Sequence, residues 1–577
     1  MLRIAAAVTL VAAFLGVPPA AISAANGPVI LAIIHSAQPY RTYQRIQLQV
    51  NLRAQYSNPF DPAQIDLHAD FIGPGGRRER VNGFYYQGYR RVPHSIPWVL
   101  KPSGSPEWLI RFAAPVPGVW TYVVYLRDRT GVQVHSTLGS PLRVQAGTNP
   151  GYVRVSRYDH HYLAFDNGTS YYPVGENLAF WRQIYGLNEY YNWLNAPGKL
   201  HAQRANLIRV WMDPWTFQTD FVRPLGNYRA SQANAWAFDQ LLTWLEADRI
   251  EVIPVLLEDF EFRHKHSSDV WRDNPYNRRL GGPAETPCDF FSNPTAIALF
   301  ERNLRYDVAR WGYSTAILGW ELWNEVDLVT NFNSCRPQVL SWHSAMITAL
   351  RSLDPVHHLV STTLARAFTD PSIWRLPGIS FVQGDHYDKH LPRFIVGDIH
   401  GLRRYGKPVW MSEYGPFGHP PGPHDDHTGQ FIHLGQWASL LSGAAGAGLN
   451  WNWQAYVDRY HTYWVYGAIP RFIAGIAMDR EHFSPRWPIW LRVRGGRIEV
   501  FVLQGRTVSL LWARCFASAG CGSFTLPLSA VGRATRVQWW NTRLGTPISG
   551  APIHAVAGSA TLVYPGHAGD YAAKLFP

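Results

Sequence analysis

The chain has 577 residues, 46% of them hydrophobic and only 16% charged. It is too long for one ordinary domain and too apolar to stay disordered, so two or three packed domains are expected. The formal charge of +12 comes almost entirely from arginines scattered without a basic run, which excludes nucleic acid as the partner and leaves an acidic polysaccharide as a minor reading of the charge.

Residues 1–25 read as a secretory signal peptide: Arg3, an apolar run from Ile4 to Val17, then Pro18, Pro19 and small residues, with cleavage expected near Ala24 or Ala25. The run falls short of the ~20 residues a membrane anchor needs, and no other segment is apolar enough to span a bilayer. A secreted, extracellular protein without a membrane span is therefore expected. Four cysteines and no CxxC spacing fit two disulfides rather than a metal site in an exported chain. Cys288 and Cys335 are expected to pair between neighbouring loops, and Cys515 with Cys521 across a short turn.

Residues 26–148 carry short alternating runs such as IQLQVNLRA, IDLHADFIG and GVWTYVVYLRD, split by turn residues at Gly73–Gly76 and Pro115–Gly118. This is the pattern of a β-sandwich. From 149 to 483 strands alternate with helices. Eight candidate strands lie within residues 171–177, 205–212, 250–258, 316–325, 357–364, 379–387, 407–415 and 446–453. Between them, Phe238, Leu241, Leu242 and Leu245 share one helical face, and Ile297, Phe300, Leu304, Val308 and Trp311 another, with Asn293 as N-cap and Pro294 at the first helical position. Eight strand–helix units and no glycine-rich phosphate turn after the first strand favour a (β/α)8 TIM barrel over an open doubly wound sheet. Residues 484–577 return to β patterning, in RIEVFVLQG, TVSLLWARC and SATLVYPG, and predict a second sandwich. The expected fold is thus an α/β barrel flanked by N-terminal and C-terminal β-sandwich domains.

In such a barrel the chemistry sits at the C-terminal ends of the strands. GWELWNEVDL ends strand four on Asn324 and Glu325, and WMSEYG ends strand seven on Glu413, three βα units of roughly 30 residues further on. Two carboxylates facing each other across a barrel mouth are what a retaining glycosidase requires.

ELWNE followed by SEYG resembles the clan A glycoside hydrolases, the superfamily of family 5 cellulases and β-mannanases. The resemblance implies Glu325 as acid/base, Glu413 as nucleophile, Asn324 on the sugar 2-hydroxyl, Arg209 as support for the nucleophile, and Trp451 as floor of the cleaving subsite. Tyr387 matches the tyrosine of the His-x-Tyr pattern on strand six, but Asp385 stands where that pattern has histidine and His386 falls between. Trp451 and Trp453 alternate, so one of them faces the cleft, with Trp451 preferred and Trp453 claimed by the core. An arginine beside Glu413 should lower its pKa, and aromatic surroundings should raise that of Glu325. Glu321 is expected to pair with an arginine inside the barrel. Segments around QYSNPFDP and RFAAPVPGVWTY are similar to an immunoglobulin-like domain of unknown function that precedes such barrels, and VQWWNTRLGTPISG is similar to a sandwich described as a putative collagen-binding domain.

The function expected is a secreted retaining β-glycoside hydrolase cleaving a β-linked carbohydrate with no metal or organic cofactor. The competing reading is a non-catalytic glycan-binding or adhesion protein on the same scaffold, which the presence of both Glu325 and Glu413 argues against. The His/Asp-rich loop His419–Gln430 lacks metal-ligand spacing and reads as a solvated subsite loop. The long loop Glu258–Phe291 reads as a wall of the cleft.

Overall fold

The computed structural model describes residues 28–577 apart from 55, 96–97, 132, 137, 182–188, 265–269, 389, 417–425 and 557. The expected signal peptide, residues 417–425 of the His/Asp-rich segment and residues 265–269 of the long loop therefore lie outside the described residues.

Eight parallel strands make the central barrel: β1 (Gly175–Asn177), β2 (Leu207–Trp211), β3 (Glu251–Val255), β4 (Gly319–Glu321), β5 (Leu359–Ser361), β6 (Val382–Tyr387), β7 (Val409–Gly415) and β8 (Leu449–Asn450). Each falls inside its expected segment. They pair in the order 5-4-3-2-1-8-7-6, and the two ends of that order meet where the Ser380 N–H donates to the Val360 carbonyl at 2.7 Å and the Ser361 hydroxyl to the Phe381 carbonyl at 2.8 Å. The fold is a TIM barrel flanked by antiparallel β-sandwiches.

Local chemistry explains the helical layer. Helix Pro294–Trp311 starts where Asn293 accepts the N–H groups of Thr295 and Ala296 at 2.9 and 3.1 Å, a cap worth about 1 kcal/mol. Pro294 costs nothing there because the first N–H has no intrahelical partner. Helix Gln232–Asp248 buries Phe238, Leu241, Leu242 and Leu245 as one stripe.

The barrel floor is apolar: Leu207, Ile253, Leu318, Leu359, Phe381, Trp410 and Leu449 pack with Val153, Leu163 and Tyr171 of a small sheet beneath. Phe381 and Trp410 stack at 4.4 Å. Two residues beyond Leu207 on the same side of β2 comes Arg209, so the polar layer begins directly above this floor.

The N-terminal sandwich packs strands Arg45–Arg53 and Glu107–Ala113 against Gly118–Asp128 and Ile65–Ile72, with alternate residues such as Leu48, Ile110, Phe71 and Trp120 buried between. Its Arg111 crosses to the barrel and pairs with buried Asp239 at 2.8 Å, beside Arg310 at 2.6 Å. The C-terminal sandwich buries Ile498, Val500, Leu511 and Leu526. Its Asp570 accepts from His433 of helix Gln430–Leu441 at 2.7 Å and from the Trp512 indole at 2.7 Å. Disulfides join Cys288 to Cys335 and Cys515 to Cys521, the pairings expected from the sequence. The first spans 47 residues, a loop whose closure is worth about 4 kcal/mol in the chain-entropy model.

Candidate active site

Arg209 is the hub of the barrel interior. Wholly buried on β2, it gives Nη2 and Nε to Glu321 at 2.6 and 2.8 Å, Nη1 to Glu413 at 2.8 Å and to Asn177 at 3.1 Å, and Nη2 also to Asn324 at 2.6 Å. A planar fork of five N–H groups can serve four partners at once. Glu321, at the end of β4, is fully buried and also accepts from Gln383 at 3.0 Å, so it sits in the barrel interior paired with an arginine, as expected.

Glu413 on β7 is held from two sides, by Arg209 on Oε1 and by the Tyr387 hydroxyl on Oε2 at 2.5 Å. Asn177 locks this arrangement by donating to the backbone carbonyls of Ser412 and Asn450 at 2.7 and 3.2 Å. Glu325 lies just past β4, in a left-handed backbone conformation (φ 48°) that caps the turn Val326–Leu328. A glutamate there is strained by about 1–3 kcal/mol, and the Thr363 hydroxyl receives its N–H at 2.8 Å. Oxygens of Glu325, Asp385 and Glu413 all lie within 4.8 Å of one another.

Burial and the charge of Glu413 hold the Glu325 carboxyl well above the ordinary range. Burial raises Glu413 too, while Arg209 and Tyr387 pull it back down. The net direction for Glu413 is upward, contrary to the expectation from the arginine alone, because desolvation in the barrel interior outweighs the guanidinium. The difference in surroundings still separates the pair: Glu413 has a cation and a hydroxyl donor, and Glu325 is pressed by neighbouring carboxylates.

Trp451 follows β8, partly exposed, 4.9 Å from Trp211 and 6.1 Å from Phe180 by ring centroids. Trp211 and Trp215 in turn pack on Phe260 of the long loop. The patch is tied to β7 where the Trp451 N–H donates to the carbonyl of Tyr414, the residue after Glu413, at 3.0 Å.

Trp453, the less favoured of the two tryptophans, and His386 do not join this site. Trp453 is 1% exposed and its indole donates to the Tyr463 hydroxyl at 2.9 Å; β8 ends at Asn450, and the chain coils into the helical turn Trp453–Asp458, which buries the ring. His386 points to the helical layer, with Nδ1 2.7 Å from Asp398 and its ring stacked on Phe394 at 4.6 Å. Strand alternation sends His386 outward and its neighbours Asp385 and Tyr387 inward. Asp385 was given no role from the sequence. It is 4% exposed, accepts from the Ser412 hydroxyl at 2.6 Å, and keeps Oδ2 without a hydrogen-bond partner. Its i, i+2 spacing from Tyr387 was the available signal.

Residues 39–127 match the model of a family described as a domain of unknown function, DUF5060. Over 150 residues the chain is 37% identical to a protein of Aspergillus terreus named "Probable mannan endo-1,4-beta-mannosidase C"; the match spans 24% of this chain and 34% of that one, about a third of its length. A solved structure from Bacteroides vulgatus, named provisionally as a glycoside hydrolase, is 16% identical with a TM-score of 0.63 and covers 93% of this chain and 99% of its own. That likeness is one of fold. A family 30 subfamily 8 xylanase structure from Clostridium acetobutylicum aligns with a TM-score of 0.38 at 13% identity, over 66% of this chain and 92% of its own.

Proposed function

We propose that the protein is a retaining β-glycoside hydrolase of the clan A type, exported by its N-terminal segment and acting on a β-linked polysaccharide or oligosaccharide. The observation that carries this reading is the spacing of Glu325 and Glu413, whose oxygens approach within 4.8 Å. A retaining pair stands about 5–5.5 Å apart, whereas an inverting pair leaves roughly 6.5–9.5 Å for a water.

In this mechanism Glu413 attacks the anomeric carbon and forms a glycosyl ester while Glu325 protonates the departing oxygen. Glu325 then takes a proton from water, which attacks the same carbon and releases the sugar with its configuration kept. Arg209 and Tyr387 hold Glu413 ionised and aimed, and the crowding of carboxylates keeps the proton on Glu325. Asn324 binds the 2-hydroxyl and Trp451 supplies an apolar face for the sugar ring. No step needs a metal or organic cofactor.

The likeness to a protein named as a mannanase supports β-mannan as the first substrate to try. The three units 26–148, 149–483 and 484–577 are kept as the domain division, since the sheets described above fall on either side of those borders. Among the described residues no helix is long and apolar enough to cross a membrane, which is compatible with export. Release of reducing sugar from β-mannan, β-glucan, xylan and galactan, compared between the native chain and Glu413→Gln, tests the reading. Release by the native chain alone supports it, and no release from any of the four, or equal release by the variant, contradicts it.

A further inference from the structure

The N-terminal sandwich meets the helix after β2 through one hairpin. Its strands Tyr89–Arg91 and Leu100–Pro102 pair antiparallel, inside the stretch that matches the domain of unknown function. Trp98, between the two strands, lies 6.4 Å from Trp236 and 5.5 Å from Trp244 by ring centroids. Just before the hairpin, the Gln87 N–H donates to Gln232 at 3.2 Å. These contacts seat the hairpin on helix Gln232–Asp248.

Between hairpin and barrel lies a pocket of about 280 Å³, near the lower end of ligand-site sizes, roughly 300–1,000 Å³. Buried Trp193 and Phe217 line it together with half-buried Trp98 and Trp215 and with Trp244, which is 39% exposed. Asn234 adds a polar group to the wall. Its Nδ2 is committed to the carbonyls of Pro214 and Gln218 at 3.0 and 3.2 Å, so the group it can offer a ligand is the acceptor Oδ1. A single exposed aromatic is ordinary, but several converging on one cavity with a polar group mark a binding site.

Trp215 also connects this pocket to the candidate active site. Its ring lies 6.1 Å from Phe180, and Phe180 lies 6.1 Å from Trp451. The rings therefore run in contact from the floor of the cleaving subsite to a pocket that two domains share.

We propose that this pocket is a further sugar-binding subsite, which holds a distal residue of the β-linked chain and gives the N-terminal domain a part in substrate recognition. The ligand class rests on the glycosidase reading above. A pyranose ring carries C–H groups on its faces and hydroxyls around its rim; the faces suit indole rings, and the rim suits Asn234 Oδ1. A lipid tail or an apolar side chain would fill the space but would use neither that acceptor nor the continuity with the cleft. Longer chains are thus held at both ends of the aromatic track.

Titration calorimetry on the full Glu413→Gln chain, which should bind without cleaving, tests this with mannobiose and mannohexaose, cellobiose and cellohexaose, and xylobiose and xylohexaose. At least one hexasaccharide is expected to bind more tightly than its disaccharide. Trp98→Ala in the same chain should lower that affinity ratio about tenfold or more, the usual effect of truncating an aromatic anchor. Trp244→Ala, at the exposed edge of the pocket, serves as the second variant if loss of Trp98 unseats the hairpin. No preference for any hexasaccharide, or a ratio unchanged in both variants, would overturn the proposal. So would an apolar dye that binds in a Trp98-dependent way and is not displaced by the hexasaccharides. Hydrolysis by the native chain is a separate measurement, so the proposed activity and this subsite can fail independently.

Discussion

Tyr387 donates its hydroxyl to Oε2 of Glu413 at 2.5 Å, the oxygen left over when Arg209 takes Oε1 at 2.8 Å. Both contacts favour the ionised carboxylate and work against the burial that raises its pKa. Activity in the proposed mechanism needs Glu413 ionised and Glu325 protonated. The acid limb of the pH profile should therefore lie above the ordinary glutamate range and the alkaline limb should follow Glu325. Tyr387→Phe removes one of the contacts that lower Glu413, so its acid limb should move to higher pH. An acid limb unchanged in that variant would count against the assignment.

Arg209 serves Glu321, Glu413, Asn177 and Asn324 together, which a single ammonium cannot do. Arg209→Lys is expected to lower kcat about 10²-fold or more, since the nucleophile loses its aim. It should also cost about 3–5 kcal/mol of stability, the usual penalty for breaking a buried ion pair. Steady-state kinetics and denaturant unfolding give the two numbers.

The neighbours Asp385 and His386 should differ sharply. His386→Ala, at a side chain bound to Asp398 and Phe394 in the helical layer, is expected to leave kcat/KM within about threefold. Asp385→Ala removes a group in contact with Ser412 and within reach of both Glu325 and Glu413, and should cost roughly 10²-fold. Kinetics on one substrate decide between the two residues.

That contrast also marks what the sequence could and could not tell. The eight strands were legible because strand runs alternate with helical stripes, and because signals such as Asn293–Pro294 mark a helix start by local chemistry alone. Glu325 and Glu413 were legible as strand-end motifs. Asn177, Gln383 and Thr363 were not, since each is a lone polar residue whose meaning comes from a partner across the barrel. The burial of Trp453 follows from where β8 stops rather than from strand alternation, since a two-residue strand followed by a helical turn leaves no alternation to read.

Asp239 ties the N-terminal sandwich to the barrel through Arg111 and Arg310. Burial opposes its charge, but the two arginines outweigh burial and hold it down at about 2. A depressed pKa contributes stability that is present above the unfolded value, near 3.8, and lost as pH falls toward 2; the shift corresponds to about 2–3 kcal/mol. Asp239→Asn should therefore be less stable than the native chain at pH 6, with the gap narrowing between pH 4 and 2. Unfolding midpoints across that range check the sign.

The carboxylate spacing makes one claim above the others: the sugar keeps its configuration. A proton NMR time course on a β-linked substrate, begun within the first minutes before mutarotation, reads the anomer released first. The β-anomer is predicted, with Glu413→Gln inactive and Glu325→Ala partly rescued by azide on a substrate with a good leaving group. The α-anomer as first product would contradict the assignment of Glu413 as nucleophile.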